Sequence, residues 1–111
     1  MTGEEAWQEV VKFARAAMQS DIRVHTLQRK VANRVTDVTA SSIGRVSVEG
    51  RTNDSRVTKA MVIRAWNVLQ QKGRTDARTA RALAFTTALM LAAMPDRLVQ
   101  RGDTEIALRP G

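Results

Sequence analysis

The side chains best suited to binding phosphate are concentrated in one polar segment in the middle of the chain. Residues 50–56 include no apolar residue, and Thr58 is the predicted N-cap of a helix that begins at Lys59. The N-terminus of a helix presents unpaired N–H groups and the positive end of the helix dipole, so it binds anions readily. The segment is therefore either a nucleic-acid contact or a solvated turn made by its Asn and Asp residues. The candidate contacts are Arg51, Asn53, Ser55, Arg56, Thr58 and Lys59, with Asn53 and Ser55 as base readers.

A second group of candidates lies on a β-hairpin predicted between Val31 and Val48. β-Branched residues are mixed with polar ones on both sides of a polar turn, residues 39–42. Arg34 and Arg45 fall on different strands, and a two-stranded ribbon can lie in the major groove of DNA. An ordinary half-solvated sheet would also carry charges on its outer face. With regular pairing, the polar face would carry Arg34, Thr36, Arg45 and Ser47.

The excess positive charge of the chain lies in its middle. The net charge is +7, and thirteen of the 18 Lys and Arg residues lie between Ile22 and Arg81, where only four Asp or Glu residues oppose them. A folded protein whose excess charge occupies one segment is typically built to bind a polyanion, and nucleic acid is the first candidate. Charge distribution thus points to the same function as the polar segment and the hairpin.

No pattern typical of an enzyme or a metal site competes with this interpretation. The chain has no cysteine, which excludes disulfides, thiolate nucleophiles and cysteine zinc sites, and fits a cytoplasmic protein. His25 is the single histidine, and no spacing of carboxylates suggests further metal ligands. The sequence also lacks a glycine-rich phosphate loop. We therefore expect no enzymatic activity, no cofactor and no bound metal.

The length of 111 residues predicts a single domain over residues 1–111. The apolar run from Ala82 to Met94 is shorter than the roughly 20 residues that span a bilayer, so we expect a buried core helix and no membrane contact. The pattern predicts an α+β fold with an N-terminal helix, a small antiparallel sheet or hairpin, two packed helices and a short C-terminal hairpin. The oligomeric state is not specified by the sequence.

The two central helices carry distinct signals. The first is predicted over residues 59–71, and Gly73 is placed to end it in the left-handed conformation. The second is predicted to begin at Thr75 or Asp76 and to stop at Pro95, with Arg78 and Arg81 on one face of its first turns. Arg78 is therefore a further candidate DNA contact. The order of elements also matches a winged helix, although the inserted hairpin and the apolar second helix fit that fold badly.

Part of the chain resembles small N-terminal modules of actinobacterial McrA-like restriction proteins, which attack modified DNA. The similar stretches are Asn33-Arg34-Val35-Thr36-Asp37-Val38, Ile43-Gly44-Arg45-Val46-Ser47-Val48, Arg56-Val57-Thr58, residues 62–73 and Met94-Pro95. The resemblance implies a DNA-recognition module without nuclease chemistry, since the chain lacks the paired histidines and the asparagine of an HNH nuclease. It also implies a larger restriction or defence protein as partner, and the reading of modified bases.

A different class of function is also open from the sequence. A small basic protein can act as an adaptor or inhibitor that docks on an acidic protein surface, and the acidic first helix would permit head-to-tail association. The two functions differ in what they predict. DNA binding should be generic and steep in salt, whereas adaptor binding should be selective and insensitive to added DNA.

Overall fold

The computed structural model describes residues 1–47 and 55–110, and it shows an α+β fold. The N-terminal helix, the antiparallel sheet, the two further helices and the C-terminal hairpin follow one another in the predicted order. The elements are α1 (Gly3–Ser20), β1 (Arg23–His25), β2 (Ala32–Val38), β3 (Ser42–Ser47), β4 (Val57–Thr58), α2 (Lys59–Lys72), β5 (Arg74–Asp76), α3 (Ala84–Ala93), β6 (Leu98–Arg101) and β7 (Glu105–Leu108).

The strands form two antiparallel sheets. The first sheet has four strands in the order β1-β2-β3-β4, and the second has three in the order β5-β7-β6. Strands β2 and β3 are the predicted hairpin, whose turn is held by the Thr39 hydroxyl as it accepts a hydrogen bond from the Ser42 amide at 3.0 Å. Strands β6 and β7 are the predicted C-terminal hairpin, in which Gly102 supplies a φ of 64° at the turn.

Helix α1 is fixed at both ends and packs on the first sheet. Thr2 and Glu5 form a capping box, and Asp21 ends the helix in the left-handed conformation with a φ of 52°. The apolar stripe of the helix is buried, and the Trp7 indole donates from Nε1 to the Ala40 carbonyl at 3.2 Å. This bond joins α1 to the β2–β3 turn, so the helix covers the inner face of the sheet.

Helix α2 has the predicted start and caps and extends one residue further than predicted, to Lys72. The Thr58 hydroxyl accepts a hydrogen bond from the Met61 amide at 3.2 Å, and Gly73 ends the helix with a φ of 78°. Trp66 on this helix is buried and donates from Nε1 to the Met1 carbonyl at 3.1 Å. It therefore offers no surface for stacking nucleic-acid bases.

The predicted start of the last helix is wrong. Residues 74–76 form strand β5, which pairs with β7, and α3 begins only at Ala84. Between them, an Asp76 carboxylate oxygen accepts from the Thr79 amide at 2.6 Å, and Arg81 has a φ of 54°. Arg78 and Arg81 thus lie in a turn and do not share a helix face. The central residues of α3, 85–90, are all buried, so it cannot serve as the recognition helix of a winged-helix protein.

In the part of the chain that the structure describes, no helix is both long and apolar enough to cross a lipid bilayer.

Candidate nucleic-acid interface

The pairing of β2 with β3 decides which side chains of the hairpin reach solvent. Arg45 lies opposite the buried Val35, and Ser47 lies opposite the buried Asn33. Because directly opposite residues share a face, Arg45 and Ser47 point to the inner side of the sheet with Ile43. The polar face predicted from the sequence is therefore wrong for these two residues, and only its β2 members, Arg34 and Thr36, are exposed.

The outer face of the sheet carries a pair of arginines that face solvent together. Arg23 on β1 lies directly opposite Arg34 on β2, and both are exposed. The Cβ atoms of such a pair are about 4.5–5.5 Å apart, and like charges at that separation destabilise a sheet. Neither arginine forms an ion pair with any residue in the two described segments.

The cationic surface extends from this pair into the β1–β2 loop. Arg29 and Lys30 are exposed there, and the sequence from Ile22 to Thr36 contains no carboxylate. Sequence reasoning missed Arg23. The signal available in the sequence was the alternation of polar, apolar and polar residues around Val24, and a three-residue strand displays such an alternation only weakly.

Arg56 is held by an acid of the same sheet. Its guanidinium donates two hydrogen bonds to the Asp37 carboxylate, at 3.0 and 2.6 Å, and a third from Nε to the Ser42 hydroxyl at 2.9 Å. The hydrogen bond from Arg56 lowers the pKa of Asp37, and the same bond raises the pKa of Arg56. The pair lies across Gly44, where a Cβ atom would collide with the Asp37 carboxylate.

Lys59 is also paired within the molecule. Its ammonium group lies 2.8 Å and 2.6 Å from the two carboxylate oxygens of Glu4, at the start of α1. The hydrogen bond from Lys59 lowers the pKa of Glu4. An acidic group that would support head-to-tail association is therefore already neutralised by an intramolecular partner.

The remaining candidates of the polar segment are Thr58, Ser55, Arg51 and Asn53. Thr58 caps α2, and Ser55 is exposed at the beginning of the second described segment. Arg51 and Asn53 lie outside the described residues. Two of the six candidates, Arg56 and Lys59, are thus engaged with carboxylates.

Arg45 instead belongs to a polar cluster under the sheet. It donates from Nη1 to Asn33 Oδ1 at 3.0 Å, and Asn33 Nδ2 donates to the Val31 carbonyl at 3.0 Å. The guanidinium carbon of Arg45 lies 5.2 Å from the centre of the Phe85 ring, within the range of a cation–π contact. Burial lowers the pKa of Arg45. Within residues 1–47 and 55–110, Arg45 Nε and Ser47 Oγ are buried without a hydrogen-bond partner.

A cavity of about 720 Å³ opens beside this cluster, between the two sheets. The first sheet supplies Asn33, Arg45 and Ser47, and the turn after β5 supplies Asp76 and Arg78. The backbone amide of Thr79 lowers the pKa of Asp76 by donating a hydrogen bond to it. Arg78, predicted as a helical DNA contact, is therefore an exposed residue of the cavity wall.

No group of three or more His, Cys, Asp or Glu side chains that could hold a metal ion occurs among the described residues.

Comparison with known proteins gives no relative for this arrangement: no protein-family model, no curated protein and no solved structure matches the chain. The resemblance to McrA-like modules remains a prediction from the sequence pattern.

Proposed function

We propose that this protein is a DNA-binding module that contacts duplex DNA through the outer face of its four-stranded sheet. The observation that carries the proposal is the juxtaposition of Arg23 and Arg34, exposed, directly opposite and without an ion-pair partner in the described residues. Two like charges held together cost stability in the free protein, and a phosphate backbone removes that cost when it binds.

The neighbouring residues support a contact that is longer than one pair. Arg29 and Lys30 extend the positive surface along the β1–β2 loop, and duplex DNA presents about one negative charge per 1.7 Å of its axis. Arg51 and Asn53, which lie outside the described residues, stay candidate contacts on the sequence alone. Arg56 and Lys59 contribute less in this proposal, because carboxylates already neutralise them.

The wider biological role rests on the McrA-like resemblance. It implies that the module serves a restriction or defence protein and reads modified bases, with the cleavage chemistry in another domain or partner. The chain itself is then a recognition unit, and a duplex with methylated cytosine or adenine should bind better than the unmodified duplex of the same sequence.

The experiment is fluorescence anisotropy with labelled duplex DNA over a series of salt concentrations. The double variant Arg23→Gln, Arg34→Gln should weaken binding and reduce the salt slope of log K by about 1.8, which is 0.9 for each lost phosphate contact. The matched control is Lys12→Gln, Arg15→Gln, which removes the same charge from the exposed side of α1. Equal losses in the two variants would mean that net charge, and not this face, accounts for binding.

The same titration separates DNA binding from the adaptor function. Binding to an acidic protein partner should persist when excess duplex DNA is added, and it should ignore the Arg23 and Arg34 substitutions unless that partner uses the same face. If the protein binds no duplex even at low salt, the DNA-binding proposal is wrong.

A further inference from the structure

The cavity between the two sheets has the chemistry of a ligand site. We propose that it binds a nucleotide, with the heterocyclic base inside against Arg45 and Ser47 and the phosphate at the opening against Arg29 and Arg78. This proposal shares Arg29 with the proposed DNA-binding surface but does not rest on Arg23 and Arg34, which lie on the opposite side of the sheet.

Two side chains of the cavity wall, Arg45 and Ser47, carry hydrogen-bonding atoms that find no partner among the described residues. Arg45 Nε and Ser47 Oγ are buried, and no described residue accepts from either or donates to the hydroxyl. Burying such groups without partners is unfavourable, and buried polar atoms are usually satisfied by protein, water or ligand. Arg45 and Ser47 both line the cavity, so a ligand that presents acceptor atoms, such as the carbonyl and ring nitrogens of a base, would lie against these two side chains.

The guanidinium of Arg45 is held in place before any ligand arrives. The amide of Asn33, which is 1 % exposed, accepts from Nη1 on one side and is itself anchored to the Val31 carbonyl. The Phe85 ring supports the guanidinium plane. Binding therefore does not require this long side chain to be ordered first, which removes an entropic cost.

The opening of the cavity is positively charged. Arg29 from the β1–β2 loop and Arg78 from the turn after β5 are both exposed and lie in walls that belong to different sheets. With Arg45, three arginines line the cavity, and Asp76 is the one carboxylate among the described lining residues. Arginine at such a place binds phosphate through charge-assisted, often bidentate hydrogen bonds.

Size and polarity favour a whole nucleotide over inorganic phosphate. The volume of about 720 Å³ lies in the usual range for small-molecule sites, about 300–1,000 Å³. Leu27 and Val31 supply apolar surface for the faces of a base, and the Asp76 carboxylate can accept from an amino or imino group. A cavity with hydrogen-bond donors, an acceptor and apolar walls is more complementary to a heterocyclic base than to inorganic phosphate.

The test is isothermal titration calorimetry of the full chain with the four 2′-deoxynucleoside 5′-monophosphates and with the four corresponding nucleosides. Arg29→Gln, Arg78→Gln should lower nucleotide affinity about tenfold or more, the size of a lost charge-assisted contact, and leave nucleoside binding unchanged. Ser47→Ala should weaken both ligands. Lys12→Gln, Arg15→Gln removes the same charge elsewhere and should change neither.

A nucleotide can come from solution or from a nucleic-acid strand, and a competition experiment distinguishes these sources. A short single-stranded oligonucleotide that displaces the bound mononucleotide identifies a strand as the source, and failure to displace it identifies the free nucleotide. The proposal is overturned if none of the four mononucleotides binds at millimolar concentration, or if binding survives both the Ser47 and the Arg29, Arg78 substitutions. Neither result would bear on the outer-face variants Arg23→Gln, Arg34→Gln.

Discussion

Asn33 and Arg45, on adjacent strands, form a partly buried polar unit in which the asparagine carbonyl oxygen accepts from the arginine Nη1 at 3.0 Å. The Asn33 amide nitrogen donates to the Val31 carbonyl at 3.0 Å, so the oxygen and the nitrogen of this side chain are both hydrogen-bonded. The unit ties β3 to β2 and to Val31, the residue before β2, and it fixes the position of Arg45 in the cavity wall.

Replacing Asn33 with Ala should therefore destabilise the fold. The change leaves Arg45 Nη1 without its partner and removes buried volume, whereas the Val31 carbonyl keeps its hydrogen bond from the Thr26 amide at 3.0 Å. We expect the free energy of unfolding to fall by about 1–3 kcal/mol, the usual cost of leaving such a group unsatisfied. Urea denaturation measures it. Asn67, which is exposed on α2, provides the control Asn67→Ala, and an equal loss there would contradict the role assigned to Asn33.

Gly44 should be favoured over alanine because of the ion pair that lies across it. A Cβ atom at this position would meet the Asp37 carboxylate, Arg56 Nη1 and Thr36 Oγ1. Gly44→Ala should lower the free energy of unfolding by about 1–3 kcal/mol, as in other overpacked sites. In an Asp37→Ala background the nearest obstacle is gone, so the same substitution should cost less, and a double-mutant cycle measures the difference. Equal costs in both backgrounds would show that Asp37 is not the obstacle.

The Asp37–Arg56 pair should also make stability depend on pH in the acid range. The pKa of Asp37 in the folded protein is below its ordinary value of 3.8, because Arg56 donates hydrogen bonds to the carboxylate. A lowered pKa contributes stability that is complete above the value in the unfolded chain and is lost as pH falls through the value in the folded protein. The melting temperature should therefore decline below about pH 4.

Asp37→Asn removes this titration, so its melting temperature should decline less steeply between pH 5 and pH 2, by thermal unfolding followed with circular dichroism. Asp103→Asn, in the exposed turn of the C-terminal hairpin, is the control and should keep the wild-type slope. A wild-type slope in Asp37→Asn would mean that the other carboxylates with lowered pKa values, Glu4, Glu5 and Asp76, account for the acid dependence.

The parts of the fold that could be predicted from the sequence are those with local causes. Thr58 caps a helix through an amide three residues away, and Gly73 ends that helix by adopting a left-handed conformation that glycine tolerates best. Both effects act within a few residues, so the sequence around them is sufficient. The two strands of the first hairpin were predictable for the same reason, because they adjoin the turn at residues 39–42.

The errors have non-local causes. Thr75 and Asp76 are good N-cap residues, but β7 pairs with them from the far end of the chain and makes them a strand. In β3, apolar residues occur on both faces, so the inward direction of Arg45 is decided by the register with β2, including the irregularity between Val35 and Asp37. The two wrongly predicted regions both line the cavity, because one wall comes from β3 and the other from the turn after β5. No single segment of sequence therefore indicates the cavity.

The pair of arginines on the outer face predicts a conflict between stability and binding. Arg23→Glu would place a carboxylate directly opposite Arg34, so a like-charge pair becomes an opposite-charge pair. We expect the free energy of unfolding to rise by about 0.2–1 kcal/mol, the usual worth of a cross-strand pair, in urea denaturation at low salt. Affinity for duplex DNA should fall at the same time, because the new carboxylate neutralises Arg34 and repels phosphate.

The control for this variant is Lys12→Glu, which makes the same change in net charge on the exposed side of α1. It should weaken DNA binding only slightly and should not stabilise the sheet. If Arg23→Glu stabilises the protein and leaves DNA affinity intact, the arginine pair is a feature of the sheet surface and the DNA contact lies elsewhere. A gain in stability together with a larger loss of affinity than in Lys12→Glu is the result expected of a face that sacrifices stability to bind a polyanion.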